Sequence, residues 1–201
     1  MRNTMIAVWC MAFTLTLASC DSGSNNESAT EANGTASVAG TDTSITEENK
    51  KLLAFAARNN MLQIELGKMA VAQGATDNVK SYGQDLVEWY TNKQQELQEL
   101  AQQYNVSLPQ QLESEQTEHL QEIREADANE FDEEYWESVT KAQKEAIDEY
   151  DDELNKVTEA DASAFTLWAR NTLKELHAQL EQAEANQLEL KNRDAGITES
   201  I

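Results

Sequence analysis

The sequence is poor in proline, cysteine and positive charge, and each shortage excludes a class of protein. Its one proline is Pro109, and alanine, leucine, glutamate and glutamine abound, which is a composition typical of long helices. The two cysteines provide no disulfide framework, because Cys10 lies in a segment that we expect to be removed and only Cys20 would remain. Lysine and arginine number 15 against 37 acidic residues, so a formal charge of −22 argues against nucleic acid as a partner.

The first apolar run, from Met5 to Leu17, is too short to span a bilayer stably. Because Arg2 precedes it, the run has the form of a signal peptide. Leu17-Ala18-Ser19-Cys20 then forms a lipobox, in which small residues admit a peptidase and the Cys20 thiol receives lipid. We expect residues 1–19 to be removed and Cys20 to carry a lipid anchor. The protein would then lie on the periplasmic or the surface side of the cell envelope, with the outer membrane favoured over the inner. The alternative is an ordinary secretory signal.

A polar segment follows the lipobox and, with the anchor, comprises residues 20–43. Serine, asparagine, threonine, glycine, alanine and glutamate make up most of it. Such a composition cannot bury enough surface to offset the entropy of ordering, which predicts a disordered tether. A flexible chain of this length has an r.m.s. reach of roughly 25–30 Å. The folded part is therefore expected to stay close to the membrane.

Residues 44–190 contain capping and terminating residues typical of long helices. A disordered tail is predicted for residues 191–201. Ser44-Ile45-Thr46-Glu47 has the form of a capping box that opens the first helix, and Gly74 is placed to end it. The pattern predicts further helices from Thr76 or Asp77 to before Leu108-Pro109, over Ser114–Glu125, over about Phe131–Val157, and after a cap at Asp161.

Apolar residues recur at three- and four-residue steps, which indicates one buried face on each helix. The residues of these stripes are Leu52, Phe55, Leu62, Leu66 and Met69; Val79, Tyr82, Leu86, Trp89, Leu97, Leu100 and Tyr104; Leu120 and Ile123; Tyr135, Val139, Ala142, Ala146, Tyr150 and Leu154; and Phe165, Trp168, Leu173, Leu176, Leu180 and Ala183. Short connections pair the long helices into two antiparallel hairpins. Together they predict an all-α, up-down four-helix bundle.

Acidic residues are concentrated between Glu113 and Glu159, and the densest patch is Asp148–Glu153. This patch lies in a predicted helix and lacks the glycine and the alternating spacing of a calcium loop. We interpret it as a solvated face. The alternative is a surface that binds cations weakly or binds a basic protein partner in the envelope.

The residues that carry catalysis in other proteins are missing from their usual patterns here. The chain contains no Gly-x-Ser-x-Gly elbow and no glycine-rich loop before a Lys-Ser or Lys-Thr pair. Neither His119 nor His177 belongs to a Glu-x-x-His motif, since Gln116 and Lys174 stand three residues before them. We therefore predict no enzymatic activity and no cofactor.

Several short motifs together resemble a bacterial protein family. They are Glu65-Leu66-Gly67-Lys68-Met69-Ala70, Leu86-Val87, Phe131-Asp132 with Tyr135, and Leu173-x-x-Leu176 followed by Leu180 and Ala183. In order and spacing they resemble a domain-of-unknown-function family of ferritin-like proteins that are often labelled outer-membrane proteins. The resemblance covers about residues 44–188. It implies a ferritin-like four-helix bundle in the cell envelope with no established activity.

The chain departs from the family pattern where that pattern has ionisable residues. Trp89-Tyr90 stand where the resemblance implies Asp-His, Gln143 and Gln179 stand where it implies histidines, and Gln63 stands where it implies glutamate. His177 is displaced by two positions from the histidine implied near Gln179. Neutral amides and aromatic rings at these positions keep packing and hydrogen bonding but remove metal ligands.

Two hypotheses of different class follow. The first is a non-enzymatic, membrane-anchored envelope lipoprotein whose acidic bundle is a structural or interaction module. The alternative is a ferritin-like protein that binds a metal or a small ligand, for which the candidate residues are Glu65, Asp85, Glu88 and His177. An enzyme with an unrecognised site is the third, weaker reading.

Overall fold

The structure is a computed structural model that describes residues 45–128 and 130–196. These residues form helices and no strand, which confirms the predicted all-α fold. None of the described helices is long and apolar enough to cross a membrane. The helices are α1 (Glu47–Gln73), α2 (Asp77–Gln103), α3 (Ser114–Glu125), α4 (Phe131–Leu154) and α5 (Ala164–Asp194).

The turn between α1 and α2 follows the predicted signals. The amide of Gly74 donates to the carbonyl of Ala70 at 2.9 Å and closes α1. Thr76 then caps α2, because its side-chain oxygen accepts from the amide of Val79. The cap of α1 differs from the prediction. Thr46 is the N-cap and accepts from the amide of Asn49 at 3.1 Å, whereas Ser44 lies outside the described residues.

The cap of α5 also differs from the prediction. Ser163, not Asp161, is the N-cap, and its hydroxyl accepts from the amide of Thr166 at 3.2 Å. Asp161 instead accepts from the amide of Ser163 at 2.8 Å and braces the cap from outside the helix. The carboxylate two residues upstream thus holds the chain that leads into the cap.

Two helix ends were misplaced by the sequence pattern. Helix α4 ends at Leu154, three residues before the predicted Val157. Helix α5 continues to Asp194, so the first four residues of the predicted disordered tail are helical. The buried side chain of Leu190 anchors this last stretch, and Lys191 and Arg193 in the final turn complement the helix dipole. Residues 197–201 lie outside the described residues.

The two predicted hairpins are present, with α1 packed on α2 and α4 packed on α5. Contacts between α1 and α4 and between α2 and α5 join the hairpins into a bundle. Asp132, at the start of α4, accepts from the amides of Ala75 and Thr76 beside the start of α2. Helices α2 and α4 therefore begin at the same end and run in the same direction. The expected alternation of directions holds within each hairpin but not across the connection that carries α3.

Helices α1 and α2 pack very closely at two glycines. A Cβ atom added to Gly67 would lie 2.7 Å from the carbonyl oxygen of Gly83, and one added to Gly83 would lie 2.6 Å from Cβ of Ala70. No real Cβ fits at such distances, so the backbones themselves are in contact here. Glycine at both positions lets the two helices pack along much of their length.

The core is built from the predicted stripes together with a set of large aromatic rings. Phe131, Tyr135, Trp136, Tyr90 and Phe165 are almost completely buried. Six of the predicted stripe residues lie in the interior only in part and pack against its margin, namely Phe55, Trp89, Leu154, Trp168, Leu173 and Leu180. Burial of this many apolar side chains supplies the main driving force for the bundle.

The contact between α2 and α5 is partly ionic. Lys93 has a side chain that is only 11% exposed, and its Nζ lies 2.7 Å from Glu175 on α5 and 2.8 Å from Glu96 on α2. The same Nζ lies 5.6 Å from the centre of the Trp89 ring. The two carboxylates and the ring face together compensate the partial desolvation of the ammonium group.

Candidate functional site

Amide and phenol side chains meet in the interior of the bundle. This polar layer consists of Gln63 on α1, Tyr82 and Tyr90 on α2, and Tyr135 and Gln143 on α4. Tyr82 is 2% exposed and the other four side chains have no exposed surface. Burying so many polar groups costs free energy unless each is hydrogen-bonded, so their bonding decides what the layer can do.

Three hydrogen bonds hold the polar layer together, one within the layer and two to backbone carbonyls beside it. The Nε2 group of Gln143 donates to the hydroxyl of Tyr82 at 3.0 Å. That hydroxyl donates in turn to the backbone carbonyl of Gln179 on α5 at 3.1 Å. On the other side, Nε2 of Gln63 donates to the carbonyl of Val139 at 3.4 Å. The layer thus connects all four long helices.

Four polar atoms of the layer have no hydrogen-bond partner within residues 45–128 and 130–196. They are Oε1 of Gln63, Oε1 of Gln143 and the hydroxyls of Tyr90 and Tyr135. An unpaired buried polar atom costs about 1–3 kcal/mol, and such atoms usually bind ordered water or a ligand. The layer therefore contains two acceptors and two hydroxyls whose hydrogen-bonding capacity the described residues leave unused.

The phenols of the layer are weak acids made weaker by their surroundings. Burial raises the pKa of Tyr82 to about 12. Burial also raises the pKa of Tyr90 and of Tyr135 above the ordinary value of tyrosine, and the neighbouring phenols add to the effect. These hydroxyls stay protonated at neutral pH, so they donate hydrogen bonds but do not act as bases.

The metal-ligand candidates from the sequence are scattered over the surface. Glu65 on α1 is paired with Lys68 at 2.7 Å. Asp85 and Glu88 are exposed on α2, and His177 is exposed on α5. Within residues 45–128 and 130–196, no three histidine, cysteine, aspartate or glutamate side chains are grouped so that they could hold a metal ion. The expected lipid attachment point, Cys20, lies outside the described residues.

The fold does bring together several positions at which the resemblance implies ionisable residues that this chain lacks. Gln63, Tyr90 and Gln143 all belong to the polar layer, and the carbonyl of Gln179 bonds to its Tyr82. The sequence analysis singled out these residues one by one but did not predict that they meet. The observed layer is made of neutral amides and phenols, which can hydrogen-bond but are poor ligands for transition metals.

A groove runs between α1, α3 and α4 on the surface. We call it the acidic groove; its volume is about 500 Å³. The floor is apolar and contains Phe55, Leu62 and Ala142. The carboxylates that line the groove are those of Glu113, Glu115, Glu118, Glu122 and Glu145.

Few positive charges offset these carboxylates. Arg58 pairs with Glu113 at 3.1 Å. Lys141 lies 3.9 Å from Glu145, and its side chain is 75% exposed, a separation and exposure at which the pair contributes little. The acidic groove therefore carries an excess of negative charge around an apolar floor.

A histidine contact marks the junction of the acidic groove with a smaller groove of about 300 Å³. Nε2 of His119 on α3 lies 3.0 Å from the hydroxyl of Ser138 on α4. Nδ1 of the same ring is 3.8 Å from Glu122. The sequence predicted the short helix that contains His119 but not this contact, because no local pattern relates residues on two different helices.

Comparisons with known proteins give a family but no close relative. No curated protein and no solved structure matches the chain. A family described as a domain of unknown function, DUF4142, has a model that matches residues 34–185. The match covers more than half of the chain and confirms the predicted membership of a domain-of-unknown-function family. The chain belongs to the DUF4142 family.

Proposed function

We propose that this protein is a lipid-anchored lipoprotein of the cell envelope whose helical bundle is a non-enzymatic, acidic interaction module. The observation that carries the proposal is the charge of the exposed helices. Helix α4 contains ten acidic residues against two lysines, and most of these acids are exposed. A surface of this charge attracts basic proteins and repels anionic lipid and nucleic acid.

The proposed anchor explains how such a surface would be used. Lipid on Cys20 and the tether of residues 20–43 would hold the bundle within a few nanometres of a membrane, with the outer membrane favoured. Anionic head groups repel the bundle, so its acidic faces remain free for proteins at or near that membrane. A partner with a basic surface would gain speed of association from the same field.

The interior supports a structural rather than a catalytic role. The polar layer joins four helices through hydrogen bonds of neutral groups, and its phenols stay protonated at neutral pH. We further propose a ferritin-like arrangement, since two antiparallel hairpins joined by one long connection are typical of that fold. In this chain the arrangement would serve as a scaffold.

Membrane fractionation of cells tests the anchor. The full-length chain is expected in the membrane fraction after a high-salt wash, and the Cys20→Ser chain is expected in the soluble fraction. A Cys20→Ser chain that stays with the membrane would refute lipid anchoring at this residue. The matched control is Cys10→Ser, which removes the other cysteine without touching the lipobox. This chain is expected to stay in the membrane fraction.

A second function, binding of a small ligand, is favoured by one observation. Four buried polar atoms, on Gln63, Tyr90, Tyr135 and Gln143, lack a hydrogen-bond partner in the described part of the chain. Elemental analysis and native mass spectrometry of the full-length chain test it. A stoichiometric metal or organic adduct that raises the melting temperature would support this second function, whereas a chain that carries neither supports the interaction module.

A further inference from the structure

We propose that the acidic groove binds a lysine- or arginine-rich segment of a partner protein, with the stems of the basic side chains on the apolar floor. The inference deepens the proposed interaction function and rests on it. It adds the place of binding and the chemistry of the bound segment. The groove lies between helices from both hairpins and α3, so it exists only in the folded bundle.

The floor and the rim of the groove match the two parts of a long basic side chain. Phe55 and Leu62 are apolar residues that line the groove. Ala142 also lines it, and its small side chain leaves space above α4. Lysine and arginine bury an aliphatic stem along such a surface while their charged ends stay in polar surroundings. The carboxylates at the rim stand where those charged ends would be.

Some carboxylates at the rim are not in ion pairs and can bind an incoming cation. Glu113 is paired with Arg58, and Glu145 lies near Lys141. Among the described residues, Glu115 and Glu118 form no ion pair, and both are exposed. A basic segment would therefore find unpaired carboxylates rather than having to displace existing pairs.

The smaller groove extends the same chemistry along α4. It shares His119, Glu122, Ser138 and Lys141 with the acidic groove and adds carboxylates on the exposed side of the helix. An occupant can thus contact carboxylates over more than one helical turn. This length suits an amphipathic helix with basic residues at three- and four-residue steps better than a single small cation.

The test uses the full-length chain in zwitterionic detergent micelles and a fluorescent helical peptide made only of lysine and leucine. Anisotropy gives the dissociation constant. The groove variant carries Glu118→Lys and Glu122→Lys, and the matched control carries Asp148→Lys and Asp152→Lys. Both pairs are four residues apart on one helix and exposed, and both change the net charge equally, but only the first pair lines the groove.

The groove variant is expected to bind the peptide about tenfold or more weakly than the native chain, and the control within about threefold. Equal weakening of both variants would overturn the groove and leave a general acidic interaction surface standing. Native protein that binds the peptide no better than a glutamate-leucine peptide would also overturn it. The proposed anchor is tested separately by fractionation, so its failure is recognisable on its own. Thermal melts of both variants verify that each is folded.

Discussion

Replacing Asp132 with asparagine is expected to destabilise the bundle by about 2–3 kcal/mol. Asp132 is 4% exposed. Its Oδ1 accepts from the amide of Ala75 at 2.8 Å and its Oδ2 from the amide of Thr76 at 3.0 Å. A single carboxylate thus satisfies two backbone donors in the turn between α1 and α2 and ties that turn to the start of α4.

The magnitude follows from what asparagine retains. Its shape is almost that of aspartate, so packing is preserved, but only one of its two terminal atoms accepts a hydrogen bond. One backbone amide then faces an NH₂ group, and the remaining bond loses the strength of a charged acceptor. Hydrogen bonds to charged groups contribute about 1.5–3 kcal/mol each, which sets the expected loss.

Thermal unfolding followed by circular dichroism measures this effect. For a domain of this size, the loss lowers the melting temperature by about 5–10 °C. The matched control is Glu133→Gln, which removes the same charge from the neighbouring, exposed residue and is expected to cost about 0.5 kcal/mol or less. The reasoning is refuted if Asp132→Asn melts with the native chain, or if both variants lose stability equally.

Three further predictions concern the core and the packing of the helices. In a spectrophotometric titration, Tyr82, Tyr90, Tyr135 and Tyr150 are expected to remain neutral at about pH 11 in the folded chain, since burial raises the pKa of each. The unfolded chain releases these protons near pH 10, so stability falls as pH rises above that value; four phenolates at pH 11 in folded protein would contradict this. Gly83→Ala places a Cβ 2.6 Å from Ala70 and is expected to cost about 1–3 kcal/mol in urea unfolding, whereas Ser81→Ala on the exposed face should cost nothing measurable. Lys93→Gln removes the link to Glu175 and is expected to cost about 1 kcal/mol, less in high salt; a loss independent of salt would argue against an ionic contribution.

Helix boundaries were predicted correctly where the sequence contains clear capping or terminating residues. Gly74 and Thr76 mark the first turn, and the short helix over Ser114–Glu125 was predicted with its observed bounds. Local signals compete at other places. Asp161 and Ser163 are both good capping residues, and only the folded chain shows that the serine caps while the aspartate supports it.

The sequence does contain a signal of the polar layer, namely glutamines on the apolar stripes. Periodicity alone does not show whether such glutamines are buried. Gln143 lies four residues after Val139 and three before Ala146, and Gln63 lies three before Leu66, so both are in register with buried residues. A glutamine on an apolar stripe is either a partly exposed neighbour or a buried polar group. The choice depends on partners from other helices, here Tyr82 and the carbonyl of Val139, which no local pattern contains.

The acidic groove was beyond prediction for a related reason. An excess of acidic residues between Glu113 and Glu159 was evident, and the sequence pattern could be interpreted as a solvated face. What distinguishes a groove from a face is the placement of Phe55 and Leu62 beneath the carboxylates of α3. That placement depends on how the connection between the hairpins folds back over α1, which is a tertiary property.

The central proposal for this protein is that its acidic surface binds a basic partner in the envelope. The most direct measurement is photo-crosslinking in living cells with p-benzoylphenylalanine in place of Glu118, in the acidic groove, and in place of Gln95, which is exposed on α2. We expect a crosslink from position 118 to a protein whose isoelectric point is basic, and no such product from position 95. Crosslinks from both positions alike, or from position 118 only to acidic proteins, would contradict it.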